Sequence, residues 1–244
     1  MSRRKLLGMM TSERTLRFDF SSFEDNSTLQ EFCVFIDQEW KYLVEEIVPS
    51  YETVTIYSRH DLKNADELVE EIQMKWNARP DSQLKSTKRR IQIPVCYEEE
   101  FGKDLSKVAD YTGLATQEVI SLHTSPSYTV FAIGFLPGFP YLGGLPPELS
   151  VPRRSKPRLL VPKGAVGIGG TQTGIYPIES PGGWNLIGRT PLDLYDPNRA
   201  NPFLLQAGDL LTFDKISSQQ FYEMKERITD NPDLYSNFVK EVNL

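Results

Sequence analysis

Histidine and cysteine are scarce in this sequence, with two of each among 244 residues. They form no CxxC or HxxxH pattern, so no structural zinc site, and no other metal site, is predicted. Cys33 falls on the apolar side of a predicted helix and Cys96 at the end of a predicted strand. We predict that both are reduced thiols, since a disulfide is rare in a cytoplasmic chain.

Long apolar runs are also lacking, and none approaches the length that a membrane-spanning helix needs. The N-terminus begins like a signal peptide, with Arg3, Arg4 and Lys5, but the apolar run from Leu6 to Met10 is too short for one. We therefore interpret the N-terminus as a frayed start and predict a cytoplasmic protein without a membrane partner. A net charge of −6 works against a nucleic-acid partner.

The first 90 or so residues predict an α+β domain. Thr15 to Phe20 alternates between apolar and polar residues, as a strand does. After Ser27 a helix is predicted, because apolar residues recur at steps of three and four. They are Leu29, Phe32, Cys33, Ile36, Trp40 and Leu43. Val54 to Tyr57 predicts a further strand, and Asn64 is a suitable cap for a second helix.

The polar, basic segment from Arg79 to Arg90 predicts a linker, which divides the chain into domains at 12–88 and 89–244. Short strands and many turns predict a barrel or sandwich for the second domain. Its predicted strands are Ile91–Val95, Tyr128–Ile133, Asp193–Asp196 and Asp209–Phe213. Its predicted helices are Leu105–Tyr111, Thr116–His123, Ser218–Ile228 and Asp233–Glu241.

The stretch from Gly134 to Pro191 holds 12 of the 16 glycines and 10 of the 17 prolines. That density excludes a helix, while the many aromatic residues exclude a disordered linker. We predict tightly turned β structure with a surface of fixed shape, and we expect any functional site to lie there.

Within this stretch, Val151 to Ile178 has no acidic residue. Its five cations are Arg153, Arg154, Lys156, Arg158 and Lys163. Such a segment attracts a carboxylate or a phosphate, and arginine offers a bidentate fork for either. A solvated basic edge, or a surface that docks an acidic partner, is the alternative.

Local motifs exclude some chemistries and leave others open. Gly164 to Thr171 is not a nucleotide-binding P-loop, since no Lys-Ser/Thr pair follows its last glycine. It suits either an anion-binding backbone nest or closely packed strands. His123, at a predicted helix end, is either a proton-handling residue or a structural one. No GxSxG motif is present.

Two residues near the end of the stretch have two interpretations each. Trp184 lies in the turn sequence Ser180-Pro-Gly-Gly-Trp-Asn185 and serves either recognition or core capping. Arg189 either clamps a carboxylate or pairs with Asp193 or Asp196, and the pairing is favoured.

Six segments together resemble one protein family, that of the 5-oxoprolinase B subunit, also called allophanate hydrolase subunit 1, which includes Kip-type histidine-kinase inhibitors. They are Pro94-Val-Cys-Tyr97, Glu100-Phe-Gly102, Gly134-Phe-Leu-Pro-Gly-Phe-Pro-Tyr-Leu-Gly-Gly144, Gln172-Thr-Gly-Ile-Tyr-Pro177, Ser180-Pro-Gly-Gly-Trp184 and Ile187-Gly-Arg-Thr-Pro-Leu192. The resemblance is specific from about Ile91 to Phe213. The family's usual opening is not legible near Leu7-Gly8, and its Asp-Gly-Glu-Phe-Gly is Glu98-Glu-Glu-Phe-Gly102 here.

The resemblance implies an α+β fold, with a small ferredoxin-like domain followed by a cyclophilin-like β-barrel and C-terminal helices. It implies a subunit that works with the C and A subunits to convert 5-oxoproline to glutamate with ATP, inactive alone and holding half of a composite site. It leaves open whether ATP contacts this chain.

The predicted site residues combine residue type with position in these motifs. The predicted catalytic residues are His123, Lys163 and Arg189. The predicted substrate-binding residues are Phe135, Tyr141, Arg158, Gln172, Tyr176, Trp184 and Asn185. Such a rigid cationic surface suits a small lactam that carries a carboxylate.

Three alternatives to the 5-oxoprolinase prediction remain. Family members also inhibit the autophosphorylation of a sensor histidine kinase, and related domains form the carboxyltransferase part of urea carboxylase. Prolyl isomerase activity rests on the barrel type alone, which is a weak argument.

Overall fold

The protein is described by a computed structural model that covers residues 6–23, 27–79 and 87–243. It divides into two compact units, one reaching Thr87 and the other comprising Lys88–Val242. Within the described ranges, no helix is long and apolar enough to cross a membrane.

The first unit is a four-stranded antiparallel sheet with two helices. Its elements are β1 (Leu7–Ser12), β2 (Thr15–Asp19), α1 (Ser27–Glu39), β3 (Val44–Pro49), β4 (Thr53–Ser58) and α2 (Ala65–Ala78). The strand order is β1-β2-β4-β3. A ferredoxin-like β-α-β-β-α-β unit places its last strand beside its first, and here β1 occupies that position.

The helices of this unit follow the apolar periodicity of the sequence. Leu29, Phe32 and Ile36 of α1 are buried with Val69 and Ile72 of α2 in one apolar core. Steps of three and four place such residues on one helix face, which packs against the sheet and buries apolar surface.

Two details of the first unit differ from the prediction. The prediction of a frayed N-terminus was wrong from Leu7 onward, because β1 pairs with β2 from Leu7 to Ser12 with one shift of register after Met10. Asn64 precedes α2 but makes no side-chain cap. Instead, its amide nitrogen donates to Glu67 Oε2 at 2.9 Å.

The second unit is built on a β-barrel. Its strands are β5 (Thr87–Cys96), β6 (Tyr128–Ile133), β7 (Pro140–Gly143), β8 (Arg158–Val161), β9 (Ala165–Gly169), β10 (Gln172–Ile175), β11 (Ser180–Gly182), β12 (Asn185–Arg189), β13 (Leu210–Ile216) and β14 (Val239–Asn243). Its α-helices are α3 (Leu105–Thr112), α4 (Thr116–Thr124) and α5 (Ser218–Asp230). Stretches of 3₁₀ helix cover Pro147–Leu149 and Pro232–Phe238.

Seven strands close the barrel in the order β12-β9-β10-β7-β6-β13-β5, with β5 returning to β12. Antiparallel pairing of Arg189 with Cys96 makes that closure, whereas β13 runs parallel to β5. β14 lies on the other side of β5, and β8 and β11 form a separate two-stranded sheet. The predicted α+β fold with a barrel is confirmed.

The barrel interior comes from alternating apolar residues. Ile91, Ile93 and Val95 of β5 face it with Leu211 and Phe213 of β13, and all five are buried. Because side chains of a strand alternate between its faces, this alternation fixes which face of each strand points inward.

The predicted strand Tyr128–Ile133 is confirmed, but other predictions for this unit need correction. Residues Asp193–Asp196 form no strand, and only Tyr195 makes an isolated bridge, to Phe203. Asp233–Glu241 is not an α-helix, since a 3₁₀ helix leads into β14. The predicted linker ends earlier than Arg90, because β5 begins at Thr87; residues 80–86 lie outside the described residues.

Candidate functional site

A cleft of about 210 Å³ lies within the glycine- and proline-rich stretch, and we call it the aromatic cleft. It is lined by Phe135, Phe139, Tyr141, Arg153, Arg154, Pro157, Tyr176, Gly182, Gly183 and Trp184. Typical pockets for drug-sized ligands are roughly 300–1,000 Å³. The aromatic cleft is smaller, so it suits a compact ligand.

Phe139 is the centre of the aromatic wall. Its ring meets those of Tyr141, Tyr176 and Trp184 edge-on, at centroid distances of 5.1, 5.3 and 5.5 Å. Edge-to-face packing at these distances is favourable for aromatic pairs. The wall is therefore a fixed surface rather than a set of independently moving rings.

Two glycines explain why the aromatic rings can pack so closely against the backbone. A Cβ at Gly169 in β9 would lie 2.6 Å from the Trp184 indole. A Cβ at Gly182 in β11 would lie 2.5 Å from the Tyr176 hydroxyl. Any side chain at either position would displace a ring of the cleft, which accounts for part of the glycine density of this stretch.

Phe135 stands at the mouth of the cleft in a strained conformation. Its φ is +68°, and it is the one non-glycine residue with positive φ in the described ranges. The residue is 68% exposed, yet its ring meets that of Phe139 edge-on at a centroid distance of 5.7 Å. Strain of this kind concentrates at ligand clamps and active sites.

Substitution of Phe135 should separate strain from side-chain loss. Phe135→Gly and Phe135→Ala both remove the ring, but only alanine keeps the left-handed strain. We expect the glycine variant to be more stable by about 0.5–1 kcal/mol, after allowance for its unfolded-state entropy. Chemical denaturation of both variants measures the difference, and an alanine variant of equal or greater stability would contradict the argument.

Arginine side chains form the polar wall of the cleft. Arg153 lies over the Trp184 ring, 5.9 Å from its centroid. Arg154 forms an ion pair with Asp104 at 2.9 Å, and Arg158 pairs with the same carboxylate oxygen at 2.8 Å. Burial alone would raise the pKa of Asp104, but hydrogen bonds from Arg158 and the Leu186 N–H and both arginine charges lower it overall.

Tyr176 connects the aromatic and polar walls. Burial raises the pKa of its hydroxyl, while a hydrogen bond with the Trp184 backbone and the charges of Arg153 and Arg158 oppose that rise. The hydroxyl therefore stays protonated at neutral pH and can serve as a hydrogen-bond donor.

Four of the seven predicted substrate-binding residues line the aromatic cleft: Phe135, Tyr141, Tyr176 and Trp184. Of the other three, Arg158 does not line the cleft and forms an ion pair with Asp104. The amide of Asn185 donates to the Pro152 and Ile168 carbonyls at 2.9 and 3.3 Å, which is a structural role. Gln172 begins β10, paired with Gly169, and does not line this cleft.

The predicted catalytic residues Lys163 and Arg189 lie together, but not in the aromatic cleft. Arg189 Nε donates to the Lys163 carbonyl at 2.7 Å, and Arg189 lines a second, more open cavity with Glu99, Glu100 and Lys103. The favoured pairing of Arg189 with Asp193 or Asp196 is not found among the described residues, and Asp193 instead pairs with Lys163 at 2.9 Å.

His123, the third predicted catalytic residue, is fully buried in the barrel core. Its Nδ1 lies 2.8 Å from the Tyr97 hydroxyl and its Nε2 2.9 Å from Thr173 Oγ1. Because Thr173 donates its proton to the Gly167 carbonyl at 3.1 Å, it must accept from Nε2–H. Tyr97 then donates to Nδ1, which fixes a neutral tautomer.

Burial lowers the pKa of His123 to about 3, and its ring stacks on Phe213 at 4.5 Å. A neutral imidazole with both nitrogens bonded inside the core has a structural role. It lines neither of the two cavities described here.

The predicted site residues did not include Phe139, Arg153, Arg154 or Asp104. The first three lie within the aromatic and cationic part of the stretch, so their residue type and position were available as signals. Asp104 carries no such signal, because it precedes its partner Arg154 by 50 residues.

Comparison with known proteins shows which family the chain belongs to. The family model described as carboxyltransferase domain, subdomain C and D, matches residues 9–205. A 5-oxoprolinase B subunit from Escherichia coli O157:H7 is 47% identical over 170 residues, which are 70% of this chain and 77% of that protein. The chain belongs to the family of 5-oxoprolinase B subunits.

Solved structures carry the same fold in larger chains. The crystal structure of TTHA0988 matches with a TM-score of 0.69 and 33% identity over 84% of this chain and 40% of its own. The urea carboxylase of Kluyveromyces lactis matches with a TM-score of 0.69 and 17% identity over 96% of this chain and 26% of its own. The second likeness is one of fold alone.

Proposed function

We propose that this chain is the B subunit of an ATP-dependent 5-oxoprolinase, in which the aromatic cleft binds 5-oxoproline and the C and A subunits complete the reaction. The observation that carries the proposal is the composition of the cleft. A small lactam ring would fit against Phe139, Tyr176 and Trp184, while its carboxylate would meet arginine side chains of the polar wall. The family relationship to 5-oxoprolinase B subunits supports the same reaction class.

The cleft contributes binding and electrostatics rather than proton transfer. Its ten lining residues are aromatic residues, arginines, glycines and a proline, so none is a carboxylate or an imidazole. Arginine stays protonated at all physiological pH values. Such a site can orient the lactam and stabilise negative charge as the ring opens. The acid–base groups, and the use of ATP in the complex, would come with the partner subunits.

An exposed apolar rim beside the cleft supports a composite site. Leu159 and Leu160 in β8 are 91% and 62% exposed, and the ring of Phe135 at the cleft mouth is exposed as well. β8 also carries Arg158, whose partner in β11 is the cleft residue Gly182. Exposed apolar side chains that lie together are typical of protein interfaces, so we propose that the C subunit covers the cleft here.

Reconstitution tests the proposal. The chain, mixed with the purified C and A subunits, 5-oxoproline and ATP, is expected to release glutamate, with no release when any component is omitted. Leu159→Asp should weaken assembly and activity together, because it places a charge in the proposed interface. Tyr42→Asp, at a side chain that is 75% exposed in the first unit, is the matched control and should leave both unchanged.

Failure of three folded, assembled subunits to form glutamate would contradict the proposal. The second candidate, carboxyl transfer to urea, is favoured by the carboxyltransferase description of the matching family model. It predicts urea carboxylation that depends on a biotin carrier. Inhibition of a histidine kinase stays a prediction, to be tested by titrating kinase autophosphorylation with this chain.

A further inference from the structure

Asp104 precedes α3 but does not use its side chain to cap that helix. It is buried, with 4% of the residue exposed. One carboxylate oxygen accepts from Arg154 Nη1 and Arg158 Nη2, and the other accepts from the Leu186 N–H at 2.7 Å. A single buried carboxylate thus holds two guanidinium groups beside the cleft.

This arrangement leaves positive charge and hydrogen-bonding capacity unused. Two guanidinium groups share one carboxylate, so the three side chains carry a formal charge of +1. Arg154 Nε and Arg158 Nη1 are buried, and neither finds an acceptor among the described residues. An unsatisfied buried donor is costly, more so on a charged group. An anion that reached these nitrogens would supply the acceptor that both lack.

A carboxylate is an anion that these donors suit. A guanidinium presents its N–H groups in a planar fork that suits two carboxylate oxygens. Arg154 lines the cleft directly. Arg158 lies close enough to influence the Tyr176 hydroxyl. A ring seated on the aromatic wall would therefore direct its carboxylate toward this pair.

We propose that Arg154 and Arg158 form the carboxylate-binding subsite of the aromatic cleft and that Asp104 is the positioning residue that holds them. The identity of the ligand, a small lactam with a ring carboxylate, rests on the proposed function. Asp104 would act in two ways. It offsets the repulsion between the two guanidinium groups, and it limits the rotamer freedom of both arginines before the ligand arrives.

Binding to the isolated full chain tests the subsite without any partner. Titration calorimetry or ligand-observed NMR with 5-oxoproline should detect binding, whereas 2-pyrrolidinone, the same ring without its carboxylate, should bind at least about 10-fold more weakly. Arg154→Gln should weaken 5-oxoproline binding by about 10- to 100-fold, as expected for lost hydrogen bonds to a charged group. Lys156→Gln, which removes an exposed cation from the same segment, is the matched control and should leave binding unchanged.

The positioning role of Asp104 needs a readout that a general loss of structure would not give. In the reconstituted complex, Asp104→Asn should raise the KM for 5-oxoproline about 10-fold and leave the KM for ATP unchanged. Asp104→Glu should restore part of the 5-oxoproline affinity. Arg154→Lys is a second variant, which keeps the positive charge but loses the planar fork of the guanidinium. Circular dichroism melts should confirm that Asp104→Asn and Arg154→Lys both fold.

The outcomes separate this inference from the proposed function. If the chain binds 5-oxoproline through Arg154 but the complex forms no glutamate, the subsite stands and the proposed function falls. The subsite is overturned if the isolated chain binds no carboxylate. It is also overturned if 2-pyrrolidinone binds as tightly as 5-oxoproline, or if Arg154→Gln behaves like Lys156→Gln.

Discussion

Replacing Trp184 with alanine is expected to lower the free energy of unfolding by about 3–5 kcal/mol, the usual range for a buried tryptophan. Trp184 is 5% exposed and packs edge-on against Phe139 and Tyr176. Its indole packs against Gly169, which has no side chain that could move into the space left by the indole. The cavity would therefore persist, and the cleft would lose one wall.

Guanidinium unfolding followed by circular dichroism gives the magnitude, because fluorescence would change with the loss of a tryptophan. Trp184→Phe is the matched control and should lose less, since a smaller ring retains part of the contact with Phe139. Binding of 5-oxoproline to the folded alanine variant should be abolished. A loss of less than about 1 kcal/mol would mean that Trp184 caps the core only loosely.

Acidification should destabilise the protein through His123. Its pKa is held near 3 in the folded state, against about 6.5 in an unfolded chain. Between these values the unfolded state binds a proton that the folded state does not, so stability falls as the pH falls. The slope approaches about 1.4 kcal/mol per pH unit well below pH 6.5.

Comparison with His123→Gln isolates this contribution. Burial raises the pKa of Asp209 to about 6. Between about pH 4 and 6 the folded state therefore binds a proton at Asp209 that the unfolded state does not. Asp209 thus increases the free energy of unfolding as the pH falls through this range. Asp209 is present in both proteins, so the difference in unfolding free energy between wild type and variant cancels its effect. That difference should shrink by about 1.4 kcal/mol per pH unit toward pH 3. A difference that stays constant with pH would exclude a neutral, buried His123.

Much of the fold could be predicted from local patterns. The periodicity of α1 and the alternation of β2 each specify a burial pattern that tertiary contacts then reinforce. β1 was missed because its segment, from Leu7 to Ser12, has no clear alternation and depends on pairing with β2. The segment Asp233–Glu241, which includes the start of β14, was predicted as helix, although β14 pairs beside β5, about 150 residues earlier in the chain.

The site was predictable in part, for a similar reason. The aromatic residues and arginines of the cleft come from one stretch, so their density in the sequence located it. Asp104 comes from a distant segment, just before α3, and could not be found this way. His123 did carry a local signal, since it lies three and four residues after Ile120 and Val119, which share its buried helix face.

The parallel pairing of β5 with β13 affects how the chain is made as well as how it is held together. Leu210 pairs with Arg90 and Ile216 with Cys96, across about 120 residues of chain. Contacts of such high sequence separation form slowly, because loop closure must precede them. During synthesis the barrel cannot close until β13 has left the ribosome. Until then, the edge of β5 that β13 will cover stays open to wrong partners.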